Sequence, residues 1–178
     1  MSFRAITGTI VPVPNPELIA HIPRVHLPNC FGCGADNEIC LGIVPDFVDD
    51  KVVADLEFHR RFEGGPGLVH GGAIAAFFDD LIGFVPMTHM RPAVTANLSV
   101  NYRKPIPLGV TIRGEAWLTN SEGRKLWCEA VGYAPDGTIL VEVTSLFLEV
   151  PAEHFSRAIE GVKGPYPDAF FKKDEYYP

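Results

Sequence analysis

Residues 64–83 read GGPGLVHGGAIAAFFDDLIG. From Gly71 onward the apolar positions Ile74, Phe77, Phe78, Leu81, Ile82 and Val85 fall at i, i+3, i+4, i+7, i+8 and i+11, which draws one stripe down a helix. Pro86 is expected to stop it. Such a stripe needs a partner surface, and the rest of the chain offers strands. A second stripe carries Gly72, Ala76, Asp79 and Gly83, so three small residues and one carboxylate share a face that a ligand or another backbone can approach closely.

Strands are read on both sides of this helix. KVVADLEF (51–58) alternates apolar and polar side chains, the period of a half-buried strand, and so do AVTANLSVNYR (93–103), VTIRGEAWLT (110–119), RKLWCEAVGYA (124–134) and TILVEVTSLFLE (138–149). The last three are joined by NSEG and PDG, which carry hairpin chemistry through Gly123 and Asp136-Gly137, so they form an antiparallel meander. The expected fold class is therefore α+β: a long central helix wrapped by an antiparallel sheet of about five or six strands.

The flanks differ from this middle. Residues 1–29 hold Pro12, Pro14, Pro16, Pro23 and Pro28 and cannot sustain a central strand or a long helix, so they are read as a Pro-rich N-terminal arm. Residues 30–150 make the domain. Residues 151–178 are read as a C-terminal extension, a short helix followed by an aromatic and charged tail that docks. At 178 residues there is room for one core and not for two ordinary domains.

Composition excludes several functions. With 47% hydrophobic and 21% charged residues the bulk of the chain is not disordered. A net charge of −7 without a basic block argues against a nucleic-acid partner held by phosphate neutralisation. The most apolar run, from Ala73 to Val85, is interrupted by Asp79 and Asp80, so no membrane span is expected. The first 30 residues resemble neither a secretion signal nor a transit peptide, and a cytoplasmic address with four reduced cysteines is the expectation.

The chemistry concentrates at residues 70–79. His70-Gly71-Gly72 ends a glycine-rich loop and opens the helix, where unpaired N–H groups and the positive end of the helix dipole suit a developing oxyanion. The same residues equally suit a tight loop-to-helix turn with His70 as a cap. Asp79 is the candidate base or nucleophile, because Phe77 and Phe78 beside it are expected to strip its solvent. Asp80 suits a solvated face better. Gly72 and Asp79 share a face of one helix but lie roughly 10 Å apart along it, so one reacting carbonyl reaches both only if an antiparallel second copy brings Asp79 of one chain opposite Gly72 of the other.

The segments CFGCG (30–34), VHGGAIAAFFDD (69–80) and TANLSVNYRKPIPLG (95–109) together resemble the hotdog-fold thioesterases of the PaaI-type branch, acyl-CoA hydrolases, over about residues 30–150. The resemblance implies that Asp79 attacks the thioester or activates water, that the Gly72 N–H polarises the carbonyl with His70 positioning the substrate, and that Thr95 assists Asp79 from the following strand. Gly71, Asn97 and Phe78 follow as substrate-contacting residues, with Asp80 as a further supporting residue. It also implies homodimers sharing one continuous sheet, often paired as dimers of dimers.

A thioester suits such a site because a thiol with a pKa near about 8.5 leaves without a strong acid. No cofactor is then expected beyond the coenzyme A of the substrate. In an acidic chain its phosphates need local cations: Arg103 and Lys104 are the expected pair, and Arg60 and Arg61 are a second candidate pair that equally suits solvated edge charges. The acyl pocket is expected from Phe77, Phe78, Leu81, Phe84, Met87 and Met90. Cys30-x-x-Cys33 has no second such pair, Cys40 stands close and His26 is an unconvincing partner, so a structural role is favoured and no metal is expected. A non-catalytic acyl-CoA binding module on the same fold is the competing reading, and it has no need of a carboxylate at the reaction centre.

Overall fold

Every predicted strand forms. The computed structural model describes residues 22, 24, 26–151 and 153–155. They give β1 (Asp46–Val48), β2 (Lys51–Glu57), a 3-10 turn (Arg60–Phe62), α1 (Gly71–Thr88), β3 (Ala93–Tyr102), β4 (Thr111–Glu122), β5 (Lys125–Tyr133) and β6 (Ile139–Glu149). The six strands make one antiparallel sheet in the order β1-β2-β4-β5-β6-β3. Only β1 escaped the sequence reading. It is three residues long and pairs with β2 around Asp49, whose φ of 56° closes a two-residue turn.

The sheet wraps α1 as the apolar stripe requires. Phe77, Phe78, Leu81 and Ile82 are 0% exposed, and Ile112, Leu126, Ala130 and Val141 of β4, β5 and β6 close over them. Two glycines make the close approach possible. Gly114 of β4 and Gly132 of β5 pair across the ladder, and a Cβ on them would come within 2.7 Å of the Phe77 and Phe78 rings respectively. The aromatic rings fill the volume that these strands leave empty, which is the interdigitation that gives a core its density.

Pro86 does not stop the helix. It sits in the last turn of α1, which runs on to Thr88. A proline there forfeits one helical hydrogen bond, and the turn closes by other means: His89 and Arg91 donate their N–H groups to the Pro86 carbonyl, and Thr88 Oγ1 donates to the Val85 carbonyl at 2.8 Å. The chain leaves the helix at Met90, whose φ is 55°. By length and composition alone α1 could cross a membrane, and 56% of it is buried inside this fold, as a core helix is.

Most of the Pro-rich arm and the C-terminal extension lie outside the described residues. At the near end of the arm Ile22 is buried, and Arg24 pairs with Asp46 at 2.8 Å. Residues 153–155 make a helical turn after Pro151.

Candidate active site

Asp79 stands half-buried on α1, one step off the aromatic stripe. It lines a cavity of about 350 Å³ together with Thr95, Gly83, Met87, Val94 and Phe147. Thr95 Oγ1 donates to Asp79 Oδ1 at 2.9 Å. Among the described residues Oδ2 has no hydrogen-bond partner, so one oxygen is held and one is free. The strand positions the threonine through an irregularity: Thr95 pairs with Phe147 and Asn97 with Leu146, which leaves Ala96 as an extra residue. A bulge of this kind turns the side chains beside it.

The apolar neighbours expected to desolvate Asp79 do not touch this cavity. Phe77 and Phe78 turn into the core, and so do Leu81 and Phe84, all 0% exposed. Of the expected acyl pocket only Met87 lines the cavity, and Phe78 is a core residue. The solvent-poor carboxylate is Asp80 instead, its side chain 10% exposed. The expectation of a solvated Asp80 fails because the 26–33 loop folds down over that side of the helix. His26 Nδ1 lies 3.0 Å from Asp80 Oδ1, Cys30 Sγ donates to the same oxygen at 3.2 Å, and Cys33 Sγ lies 3.9 Å away.

These groups tune one another. Burial opposes charge on Asp80, but the His26 imidazole and the two thiols overcome it and hold the carboxyl below its usual range. Burial likewise opposes charge on His26, and the Asp80 carboxylate with Cys30 raises its pKa to about 9. The Cys33 thiol, hydrogen-bonded to Cys30, lowers the latter to about 5 with help from His26 and against burial, while Cys33 itself is pushed upward.

At the start of α1 the capping role of His70 is realised. Its Nδ1 accepts from the Gly72 N–H at 2.9 Å, so the donor expected to polarise a carbonyl is already satisfied within the chain. The Gly71 N–H, one residue earlier, makes no hydrogen bond among the described residues. Gly71 is pinned from the other side, since Tyr102 Oη donates to its carbonyl at 2.8 Å. Neither glycine nor His70 lines the Asp79 cavity.

The remaining expected residues scatter. Asn97 is exposed on β3, and its carbonyl accepts from Ser145 Oγ at 2.8 Å. Arg103 and Lys104 are exposed just beyond Tyr102, with Arg103 paired to Glu142. Gly83 was legible as part of the small-residue stripe that carries Asp79, whereas Val94 and Phe147 carried no signal by which sequence could have assigned them to a cavity.

The sequence pattern of the thioesterase superfamily matches residues 66–141. Mouse (Mus musculus) acyl-coenzyme A thioesterase THEM4 is 36% identical over 107 residues, 60% of this chain and 46% of that protein. The chain thus spans about half the length of the curated relatives it matches. Among solved structures, a thioesterase superfamily protein superposes with a TM-score of 0.66 at 27% identity, covering 68% of this chain and 61% of the other. The E. coli PaaI protein from the phenylacetic acid degradation operon superposes with a TM-score of 0.60 at 15% identity, covering 66% and 88%. The long helix, the enclosing antiparallel sheet and these matches together show the hotdog fold shared with the PaaI protein, and residues 66–141 carry the sequence pattern of the thioesterase superfamily.

Proposed function

We propose that the chain hydrolyses acyl-CoA thioesters to the free acid and coenzyme A. The observation that carries the reading is the Asp79–Thr95 pair at the wall of a cavity of about 350 Å³. Thr95 holds Oδ1, and Oδ2 takes a proton from water as the water oxygen bonds to the thioester carbon. The resulting oxyanion is met by the Gly71 N–H, a free donor at the positive end of α1, and by the Gly72 N–H if the His70 ring turns away. The tetrahedral intermediate collapses by breaking the C–S bond. The leaving thiolate, with a pKa near about 8.5, needs no acid stronger than the proton Asp79 has just taken. No cofactor enters beyond the coenzyme A of the substrate, and the four thiols suit the cytoplasm.

Asp79 and Gly71 stand about eight residues apart on one helix, roughly 12 Å along its axis, so we infer that each site is shared between two chains. β3 supports this reading: it is a ten-residue strand at the edge of the sheet, unpaired on its outer side among the described residues, and a second β3 would continue the sheet. Two copies of α1 then run side by side in opposite directions. Arg103 and Lys104 follow Tyr102, the residue that touches Gly71, so they stand near the helix start and are proposed to receive the phosphates of the substrate.

Mixed dimers test the arrangement. Gly71→Pro removes the donor but fits the first helical position, where proline is tolerated, and His70 already has the extended backbone that a following proline prefers. Gly71→Pro and Asp79→Asn are each expected to be nearly inactive in thiol release. An equal mixture allowed to exchange chains should recover about a quarter of wild-type activity, because half the dimers are mixed and each mixed dimer has one intact site. No recovery, with exchange confirmed, would contradict the shared site.

A further inference from the structure

We propose that His26, Cys30, Cys33 and Asp80 form a zinc site that ties the 26–33 loop to α1. The inference is independent of the thioesterase reading. One ligand atom from each residue lies within 4.8 Å of every other. Bonds of about 2.3 Å to sulfur and about 2.0–2.1 Å to nitrogen or oxygen set tetrahedral ligand atoms about 3.4–3.8 Å apart. The separations here are 3.0 Å between His26 Nδ1 and Asp80 Oδ1, 3.2 Å and 3.9 Å from that oxygen to Cys30 and Cys33 Sγ, and 3.4 Å from Cys33 Sγ to His26 Nδ1. These four separations lie within about 0.5 Å of tetrahedral spacing, and those from Cys30 Sγ to Cys33 and to His26 are within 4.8 Å, so small side-chain adjustments place all four donors around one ion.

The surrounding residues hold the four donors in place. Cys30 and Cys33 sit in a tight turn closed by Cys30 N–H to the Leu27 carbonyl and Gly34 N–H to the Cys30 carbonyl, each at 3.0 Å. The His26 N–H donates to Cys33 Sγ at 3.2 Å, a bond that supports a sulfur carrying negative charge. Gly32 lets the loop settle on Asp80, since a Cβ there would fall 2.2 Å from the Asp80 Cγ. The His26 ring stacks on Phe84 at 3.8 Å and lies over Gly83. Cys40 is outside the set: its Sγ donates to the Gly32 carbonyl and accepts from the Gly42 N–H, both at 3.2 Å.

A separate observation points to a missing ligand. Asp80 Oδ1 faces His26 and the two thiols, and Oδ2 is buried without a hydrogen-bond partner among the described residues, a rare and costly condition for a carboxylate. A cation bound by the Asp80 carboxylate supplies the partner that its second oxygen lacks. Two thiolates, an imidazole and a carboxylate select a borderline-soft ion in tetrahedral geometry, which favours zinc over calcium or magnesium. Four protein ligands close the coordination shell, so the ion is structural. His26, Leu27 and Asp80 line the cavity that Asp79 also lines, and Asp79 immediately precedes Asp80 on α1. The ion therefore fixes one wall of the candidate active site without touching the reacting atoms.

The test is metal analysis of the untagged full chain, stripped with chelator, reconstituted with zinc and gel-filtered. About one zinc per chain is expected for wild type and for Cys40→Ser, and less than about a tenth for Cys33→Ser and Asp80→Asn. Because those two variants remove buried groups, His26→Ala provides a milder case: it keeps three ligands and should bind zinc at least about tenfold more weakly in a chelator competition. Cobalt substituted into the wild type should show the visible bands of a tetrahedral thiolate complex, absent from His26→Ala. A wild type that holds no zinc and shows no cobalt bands overturns the proposal, as does zinc content and affinity equal in wild type, Cys33→Ser and His26→Ala. A Cys30–Cys33 disulfide in protein prepared without oxygen overturns it too.

Discussion

A carboxylate that accepts one hydrogen bond from a threonine keeps its other oxygen for chemistry, and the threonine decides which oxygen that is. Thr95→Val retains the branched shape and removes the donor. A hydrogen bond to a charged group contributes about 1.5–3 kcal/mol, so kcat for thioester hydrolysis should fall about tenfold to a hundredfold. Thr95 is exposed, so the melting temperature should hardly move, and a thermal melt beside the kinetics checks both. At this scale the sequence was legible where spacing governs. Helical period places Asp79 beside the small residues, and the motif match placed Thr95 against it. It was illegible where contacts are remote, as between His26 and Asp80, 54 residues apart, which no period connects. The same remoteness hid the desolvation: adjacent positions on a helix point about 100° apart, so the phenylalanines next to Asp79 in sequence are not its neighbours in space.

Among the elements, α1 was the most legible because six apolar positions on one stripe have a single economical solution, and the meander followed from its turns. The end of α1 was not, since proline in a final turn loses only one bond and capping by Thr88, His89 and Arg91 makes it tolerable. The three-residue β1 lies below the length at which alternation is detectable. Between β2 and β4 the structure adds a titratable tie: Lys51 Nζ meets Glu115 Oε2 at 2.8 Å and the Trp117 ring at 5.2 Å. The hydrogen bond from Lys51, aided by Arg113, holds the Glu115 carboxyl below its ordinary value against a partial desolvation. A depressed carboxylate pKa gives stability that is present above the unfolded value of about 4.3 and lost as pH falls through the folded one. Glu115→Gln should therefore cost about 0.5 kcal/mol at pH 7, the low figure reflecting the exposure of Lys51. The difference between variant and wild type should shrink toward zero below about pH 4, as measured by denaturant melts across that range.

For the whole molecule, the β3 edge left unpaired among the described residues and the separation of Asp79 from Gly71 both support the proposed second copy of the chain. The helix part of that argument was legible in the sequence, through the spacing of Gly72 and Asp79, because helix rise is a fixed quantity. The walls of the Asp79 cavity were legible only in part: Gly83 lay on the small-residue stripe and Met87 was among the expected pocket residues, but Val94 and Phe147 come from β3 and β6, and a cavity assembled across a fold has no local signature. The central claim is that Asp79 drives thioester hydrolysis, and free-thiol release tests it most directly, run over acyl-CoAs from acetyl to palmitoyl with phenylacetyl and benzoyl included, on wild type and Asp79→Asn. Turnover of at least one substrate by the wild type, a loss of about a hundredfold or more in Asp79→Asn, and the same dimeric mass for both are the predicted results. Thiol release by Asp79→Asn at the wild-type rate, or acyl-CoA binding with no release by the wild type, would contradict the account.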